Sequence, residues 1–391
     1  MIRKLLLGLY ARFINPFIPV RPKCWVFGAD YGKTYRESSK YLIQYMRKYH
    51  PEYDCCFVTQ NPEVIALLRT KGIRCVNNLS IAGIHAIARA EAVFTTQAVD
   101  DVRFAYRKHG RQFFYLGHGQ SFKVAGKSLT QAYLNEVRPD RQRWTKRLMD
   151  RIYLYLLQGN EFDDVSFVSA TSDYLAPFAH KDYGEQMEVK VLGSPRNDAF
   201  FAPDFCEQEP WPKEYEGHKI ITYMPTHRKY GQGSLSPLPF LDNGKVQHWL
   251  REHNYILLVK QHPNMIPLLK GLKQTDVIRD ITTSTIDPQV MLCHTDVLIT
   301  DYSSVWIDFL LLRRPILFYL YDDFEKDDVG YYFDFKQDFP GHFCHDEAEM
   351  FALLQQIEGS TTALCPSDDT VSKFHKYQDG NSCQRYYDAI V

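Results

Sequence analysis

Residues 298–304, with the sequence Leu-Ile-Thr-Asp-Tyr-Ser-Ser, join an apolar strand pattern to hydroxyl side chains that begin a predicted helix. The first N–H groups of a helix have no intrahelical partner and carry partial positive charge. With the hydroxyls of Ser303 and Ser304 they can hold an anion, and a phosphate group suits such a site. The alternative is a plain helix cap by either serine, which stabilises the helix and binds nothing.

Two histidines follow predicted strands, at points where the chain must turn. His118 stands between two glycines directly after the predicted strand 113–116, and His262 comes after the predicted strand 255–260. Glycine permits tight turns and close approach of a ligand, and a neutral imidazole can accept a proton from a hydroxyl near neutral pH. If the strands belong to separate domains, the two imidazoles can lie on opposite walls of one cleft. Either histidine can equally be an ordinary loop residue.

A third segment with hydroxyl and basic side chains follows the predicted strand 220–224. Thr226 offers a hydroxyl, and Arg228 and Lys229 can neutralise phosphate oxygens. Solvated surface charge is the alternative interpretation. Residues 193–198, Gly-Ser-Pro-Arg-Asn-Asp, resemble a turn with one arginine, and by themselves they favour a structural role.

The elements that must position these side chains follow an alternating pattern. From residue 23 onward, short apolar runs alternate with helical patterns, and the alternation resumes at residue 219. Such alternation predicts βαβ units and parallel sheets, with ligands at the carboxyl ends of the strands. We therefore expect two α/β domains, over residues 23–201 and 219–391, joined by a linker at 202–218. The first domain carries a basic helical insertion at 124–160.

Length and composition are those of a globular protein with two domains. The chain has 391 residues, and its 46 basic and 47 acidic residues leave a net charge of −1, which gives no general support for nucleic-acid binding. The nine cysteines show no C-x-x-C spacing, which argues against a disulfide framework or zinc site and indicates reduced, cytoplasmic thiols. P-loop, dinucleotide-binding, zinc-protease and Asp-x-Asp motifs are absent from the sequence, so it implies neither a metal ion nor a cofactor.

The N-terminal residues 1–22 combine apolar side chains at helical spacing with positive charge, and no apolar run approaches the roughly 20 residues of a membrane span. This pattern predicts a helix that lies in the plane of an anionic membrane surface. The basic segment 124–160 has a similar pattern around a tryptophan. The predicted membrane-facing residues are Leu5, Leu9, Phe13, Arg141, Trp144 and Arg147. The alternative is that both segments pack on the domain and turn their charges to water.

Six short segments occur in a fixed order along the chain. They are residues 116–119 (Leu-Gly-His-Gly), 193–198, 223–228 (Tyr-Met-Pro-Thr-His-Arg), 260–263 (Lys-Gln-His-Pro), 298–304 and 330–335 (Gly-Tyr-Tyr-Phe-Asp-Phe). Taken together, they resemble the CDP-glycerol glycerophosphotransferase family, whose members build teichoic acids and related phosphopolymers. The resemblance covers roughly residues 28–341. Any one segment alone is a weak signal, whereas six in order are specific.

The resemblance implies a GT-B-like α/β fold, in which two Rossmann-type domains with parallel sheets face a central cleft. The N-terminal domain would face the acceptor, and the C-terminal domain would hold CDP-glycerol. His118 and His262 would be the catalytic histidines. The residues assigned to the donor and its phosphates are Thr226, Arg228, Asp301, Ser303 and Ser304. Supporting roles are assigned to Gly117, Gly119, Lys123, Arg196, Asn197 and Lys260.

The activity implied by the resemblance is transfer of glycerol phosphate from CDP-glycerol to a hydroxyl of a lipid-linked glycan, with release of CMP, in teichoic-acid-like or capsular polymer synthesis. We interpret His118 as the general base and His262 as a group that stabilises the transferring phosphoryl oxygens, and exchanged roles fit equally well. Alternatives are a CDP-ribitol donor, a GT-B glycosyltransferase that uses a nucleotide sugar, and a noncatalytic membrane-associated scaffold.

The resemblance and the basic helical segments together predict the partners and the location. The expected partners are a glycan carried on polyprenyl pyrophosphate and an anionic membrane surface, and no nucleic acid, cofactor or metal ion is expected. The protein would then be peripheral, at the cytoplasmic face of the cell membrane.

Overall fold

The computed structural model describes residues 2–106, 108–120, 122–123, 165–201, 211–226, 239–261, 274–321, 330–334, 338–360, 362 and 364–391. The chain divides into two compact units. The first contains Met1–Glu207 and Asp379–Val391, and the second contains Gln208–Gln378. The boundary between the units falls inside the predicted linker 202–218.

The described part of the first unit contains the strands β1 (Arg21–Phe27), β2 (Asp54–Thr59), β3 (Cys75–Asn77), β4 (Ala90–Thr95), β5 (Gln112–Tyr115), β6 (Phe167–Ala170) and β7 (Val189–Val191). They form one parallel sheet in the order β3-β2-β1-β4-β5-β6-β7. The helices that precede or connect these strands are α1 (Ile2–Ile14), α2 (Glu37–Tyr49), α3 (Pro62–Thr70), α4 (Ile81–Arg89) and α5 (Ala176–Tyr183).

Apolar side chains cover both faces of this first sheet, as expected when helices connect parallel strands. In β1, Trp25 and Phe27 pack on one face in a cluster with Phe94, while Val26 packs on the other face with Val93. The side chains alternate because successive residues of a strand point to opposite faces. The short apolar runs of the sequence are therefore strands buried on both sides.

The described part of the second unit contains the strands β8 (Lys219–Met224), β9 (Tyr255–Val259), β10 (Ile278–Asp280), β11 (Val297–Thr300), β12 (Ile316–Tyr319) and β13 (His342–Cys344). Its helices are α6 (Gly244–Glu252), α7 (Pro288–His294), α8 (Val305–Phe309), α9 (Glu347–Gly359) and α10 (Asp368–Phe374). The strands form a parallel sheet in the order β10-β9-β8-β11-β12-β13. Two α/β units with parallel sheets confirm the predicted fold class.

The last helix, α11 (Ser382–Ile390), departs from the predicted division of the chain. The prediction placed residues 219–391 in one domain, but α11 belongs to the first unit. Its residues Cys383 and Tyr386 are buried in the cluster that contains Trp25. The carboxylate of Asp198 accepts the N–H groups of Ser382 and Cys383, at 2.9 and 2.8 Å, and so caps the helix from a distant part of the chain.

The N-terminal helix α1 has two different faces. On one face, the buried Ala11 packs with Ile84, Phe104 and Tyr106 of the first unit. The opposite face carries apolar residues spaced four apart that are exposed to solvent, namely Leu5, Leu9, Phe13 and, just beyond the helix, Phe17. None of the described helices is long and apolar enough to cross a membrane.

Candidate functional site

His118 lies in a turn that follows β5 at the carboxyl edge of the first sheet. The N–H of Leu116 donates to the carbonyl oxygen of Thr95 at 2.8 Å, which holds the end of β5 against β4. Gly117 then turns the chain with a φ of 69°, and a Cβ at this position would lie 3.3 Å from the carbonyl oxygen of Gly119. Glycine suits this turn because it adopts positive φ without strain. The turn leaves His118 exposed to solvent.

Two contacts orient the imidazole of His118. Its Nδ1 atom lies 3.3 Å from the carbonyl oxygen of Thr96 and 3.3 Å from the hydroxyl of Tyr115. A carbonyl oxygen can only accept a hydrogen bond, so the contact with Thr96 favours the tautomer that carries its proton on Nδ1. In that tautomer Nε2 is the acceptor, and it can take a proton from an incoming hydroxyl. Burial raises the pKa of Tyr115, so its phenol stays protonated.

Arg196 connects the His118 turn to the start of α2. The arginine is buried, and its Nη1 donates to Oε2 of Glu37 at 2.5 Å and to the carbonyl oxygen of His118 at 2.8 Å. Hydrogen bonds from a charged donor are stronger than those between neutral groups. Glu37, the first residue of α2, has a left-handed backbone with a φ of 62°. The guanidinium of Arg196 therefore fixes the main chain of His118, whose side chain is exposed.

A buried carboxylate that is not among the predicted site residues organises the same edge of the sheet. Asp101 is fully buried. Its carboxylate accepts hydrogen bonds from the N–H groups of Tyr31 and Thr96, both at 2.6 Å, and of Gln97 at 2.9 Å. Burial raises the pKa of Asp101, and these N–H groups oppose the rise. Asp101 follows β4 at the carboxyl edge, and the rule that selected His118 after β5 would have found it.

In the second unit, a buried carboxylate joins the turns after β8 and β11. Asp301 is fully buried, and its Oδ1 accepts the N–H of Thr226 at 2.6 Å. The hydroxyl of Thr300 donates to the carbonyl oxygen of Met224 at 2.7 Å. Because β8 and β11 are neighbours in the sheet, these bonds hold the ends of adjacent strands together. The carboxylate of Asp301 thus lies against the main chain of the protein.

The two serines that follow this carboxylate are partly exposed. α8 begins at Val305, and Ser304 occupies its N-cap position without a capping bond from its side chain. The hydroxyl oxygen of Ser303 lies 3.5 Å from the N–H nitrogen of Val305, at the limit for a hydrogen bond. A plain helix cap therefore accounts for neither serine well.

The structure gives the other predicted site residues different surroundings. Asn197 is buried in the 3-10 turn Pro195–Phe200, Lys260 donates to the carbonyl oxygen of Ser284 at 3.3 Å, and Lys123 is partly buried. The predicted residues that lie outside the described residues are Arg141, Trp144, Arg147, Arg228 and His262. The candidate residues that can be described form two groups, one at the carboxyl edge of each sheet.

Curated proteins that resemble this chain act in teichoic acid synthesis, as their names state. The chain is 29% identical over 231 residues to the teichoic acid glycerol-phosphate primase of Bacillus subtilis (strain 168), which covers 59% of this chain and 58% of that protein. It is 24% identical over 379 residues to the teichoic acid glycerol-phosphate transferase of Staphylococcus aureus (strain NCTC 8325 / PS 47), which covers 93% of this chain and 92% of that protein. The chain spans about half the length of several of the curated relatives that it matches.

Among solved structures, the wall teichoic acid polymerase TagF soaked with CDPG superimposes with a TM-score of 0.73 and 21% sequence identity, over 99% of this chain and 93% of that chain. At this identity the match supports the fold alone. The family model described as CDP-Glycerol:Poly(glycerophosphate) glycerophosphotransferase matches residues 10–391, which is nearly the whole chain. The chain therefore belongs to the CDP-glycerol:poly(glycerophosphate) glycerophosphotransferase family.

Proposed function

We propose that the protein transfers glycerol phosphate from CDP-glycerol to a hydroxyl of a lipid-linked glycan and releases CMP, in the synthesis of a teichoic-acid-like or capsular polymer. The observation that carries the proposal is the His118 turn, which presents an oriented imidazole at the carboxyl edge of a parallel sheet. Ligands of α/β proteins bind at this edge. Family membership supports the donor and the reaction class, and the names of the relatives support the polymer class.

In the proposed reaction, Nε2 of His118 accepts the proton of the acceptor hydroxyl while the hydroxyl oxygen attacks the phosphorus that bears the glycerol. A P–O bond to the acceptor forms, the P–O bond to CMP breaks in line, and CMP leaves with the electron pair of that bond. Phosphoryl transfer depends mainly on positioning and on stabilisation of charge. Thr96 positions the imidazole of His118 through its contact with Nδ1, and Arg196 positions the main chain of His118 through its hydrogen bond to the carbonyl oxygen.

On the donor side, we propose that the hydroxyls of Ser303 and Ser304 contact the phosphates of CDP-glycerol. Their partial exposure and the lack of short capping bonds support this assignment. Arg228 and His262 would supply positive charge and hydrogen-bond donors to the same phosphates. Asp301 would act through the main chain of Thr226, because a carboxylate in direct contact with a phosphate would repel it.

Release of nucleotide from a panel of donors tests the proposal. The purified protein is incubated with a lipid-linked glycan and with CDP-glycerol, CDP-ribitol or a UDP-sugar in separate reactions. We expect CMP release from CDP-glycerol to be faster than from CDP-ribitol by about tenfold or more, because a fitted pocket discriminates between polyols of different length. Reactions without the acceptor give the background of hydrolysis.

Two outcomes of the donor panel would contradict parts of the proposal. Faster release from CDP-ribitol would replace glycerol with ribitol as the transferred polyol. Release of UDP from the UDP-sugar, with no acceptor-dependent CMP from either CDP-polyol, would make the protein a glycosyltransferase.

We also propose that the exposed face of α1 binds an anionic membrane surface. The apolar stripe exposes a large area. Phe13 is 69% and Phe17 70% exposed, and the centroids of their rings lie 5.6 Å apart. Arg3 and Lys4 are exposed at the start of the helix. Apolar area together with positive charge favours binding in the plane of an anionic bilayer.

Replacing Leu9 and Phe13 with serine is expected to reduce binding to vesicles that contain phosphatidylglycerol by about tenfold or more, since each apolar side chain that enters the bilayer contributes on the order of 1 to 2 kcal/mol. Co-sedimentation with vesicles measures the binding. These substitutions leave the packed face of α1 intact, whereas deletion of residues 1–17 would expose Phe104 and Tyr106. Leu67→Ser, at an exposed leucine of α3, is the matched control. Equal sedimentation of the double variant and the control would refute the membrane assignment.

A further inference from the structure

The turn that follows β1 has an unusual backbone. Asp30, Tyr31 and Gly32 have φ values of 48°, 55° and 71°, so three consecutive residues are left-handed. Only glycine adopts this region without strain, and such residues persist where the surrounding structure holds them in place. Strained backbone of this kind clusters at functional sites. The turn lies at the carboxyl edge of the first sheet, as does the His118 turn.

Hydrogen bonds hold this turn on every side. The N–H of Tyr31 donates to Asp101 at 2.6 Å, and the carbonyl oxygen of Tyr31 accepts from the side chain of Gln60 at 3.2 Å. The carbonyl oxygen of Gly32 accepts from the hydroxyl of Thr59 at 2.7 Å and from the N–H of Gln60 at 2.9 Å. A Cβ on Gly32 would lie 2.9 Å from the side chain of Asn78. The backbone of Tyr31 is therefore rigid.

The side chain of Tyr31 is nevertheless 42% exposed. A strained backbone conformation is energetically unfavourable. At this turn the strained backbone holds in place the ring of Tyr31, which adds little to the core. Such a ring presents an apolar face and a hydroxyl tip in a defined position. This combination suits contact with a ligand better than it suits packing.

The Tyr31 turn and the His118 turn share the same support. The carboxylate of Asp101 accepts the N–H of Tyr31 and also the N–H of Thr96, both at 2.6 Å. The carbonyl oxygen of Thr96 in turn lies 3.3 Å from Nδ1 of His118. The carboxylate of Asp101 and the main chain of Thr96 thus connect Tyr31 to the imidazole of His118. A molecule whose hydroxyl reaches Nε2 of His118 therefore lies at the same edge of the sheet as Tyr31.

We propose that Tyr31 is a binding platform for a neutral sugar ring of the acceptor, which stacks its C–H face on the phenol ring while one of its hydroxyls approaches His118. The inference rests on the proposed function, because it assigns the acceptor of that reaction to this edge. A sugar ring has an apolar C–H face and a hydroxylated rim, and an aromatic ring with a polar tip complements both. Tyr31 is a binding residue in this assignment, and the proton transfer belongs to His118.

Charged groups of both signs surround the phenol of Tyr31. Asp30 and Asp100 pair with Arg36 and Arg103, and the ammonium of Lys33 lies 5.6 Å from the centroid of the Tyr31 ring. Burial raises the pKa of Tyr31, and the carboxylates of Asp101, Asp30 and Asp100 raise it further. The phenol is therefore protonated and can donate a hydrogen bond to a sugar hydroxyl.

Saturation-transfer NMR with the full-length protein and a panel of methyl glycosides of neutral hexoses and N-acetylhexosamines tests the platform without relying on turnover. We expect at least one glycoside to receive saturation from the wild-type protein, and this signal to fall at least about fivefold in Tyr31→Ala. Tyr31→Phe is expected to keep most of the signal, because it retains the ring. Tyr49→Ala is the matched control, since Tyr49 is 50% exposed but lies at the far end of α2.

Kinetics with the lipid-linked glycan provide the second measurement. We expect Tyr31→Ala to raise the KM for the acceptor by about tenfold, with little change in kcat or in the KM for the donor, since ring stacking contributes binding only. An equal glycoside signal in Tyr31→Ala and wild type would overturn the platform. Transfer to the glycan with no glycoside signal from the wild type would also overturn it and leave the proposed function in place. A glycoside signal that depends on Tyr31 in a protein without transfer activity would instead contradict the proposed function.

Discussion

Replacing His118 with asparagine is expected to lower kcat by about 10²- to 10⁴-fold, the usual contribution of a general base. The amide nitrogen of asparagine can still donate to the carbonyl oxygen of Thr96, which the imidazole contacts at 3.3 Å. The variant can therefore keep the contact with Thr96 while it loses the basic nitrogen Nε2. Release of CMP from CDP-glycerol in the presence of acceptor is the measurement.

The matched control for this substitution is His109→Asn. His109 is exposed and lies just before β5, at the amino end of the strand whose carboxyl end leads to His118. We expect wild-type kcat in the control, and unchanged affinity for CDP-glycerol in both variants by calorimetry. A His118→Asn variant that keeps more than about half of the wild-type kcat would remove the general-base assignment.

Asp101→Ala is expected to destabilise the protein by about 3 kcal/mol or more, because it leaves several buried N–H groups without an acceptor. The groups concerned belong to Tyr31, Thr96 and Gln97. Since Thr96 orients His118 and the Tyr31 turn forms the proposed acceptor platform, the variant should also lose activity at temperatures where it remains folded. Unfolding in urea, followed by circular dichroism, measures the change in stability.

An exposed aspartate provides the comparison for Asp101. Asp54 forms an ion pair with Arg74 in which both side chains are about half exposed, 54% and 46%. Exposed pairs contribute about 0 to 1 kcal/mol, so Asp54→Ala should shift the unfolding midpoint little. If Asp101→Ala and Asp54→Ala shift the midpoint equally, Asp101 does not hold the carboxyl edge of the sheet as the hydrogen bonds indicate.

The fold was predictable because its signals are local. Alternating apolar runs and helical patterns define the strands and helices, and parallel βαβ units follow from them. The position of His118 was predictable for the same reason, since a residue that follows a strand must lie at the edge of the sheet. Of the two histidines selected on this basis, only His118 lies within the described residues, and the assignment of His262 stays a prediction.

Apart from Asp101, which follows a strand, the supports of the site were not predictable, because they join residues that are far apart in sequence. Arg196 and Glu37 are separated by 159 residues, and no periodic pattern relates them. The resemblance places Asp301 among the donor-binding residues, and local sequence cannot show that its carboxylate accepts an N–H group 75 residues away. The membership of α11 in the first unit rests on contacts of the same kind, with Asp198, which lies 184 residues before Ser382.

The return of the chain to the first unit at Asp379 has a consequence for biosynthesis. A nascent chain that has emerged from the ribosome as far as Glu207 lacks Cys383 and Tyr386, which complete the cluster around Trp25. The first unit can finish its core only after the whole second unit has been translated, in contrast to the usual order in which N-terminal domains fold first. The unit that carries His118 therefore depends for its final packing on residues that leave the ribosome after the whole second unit.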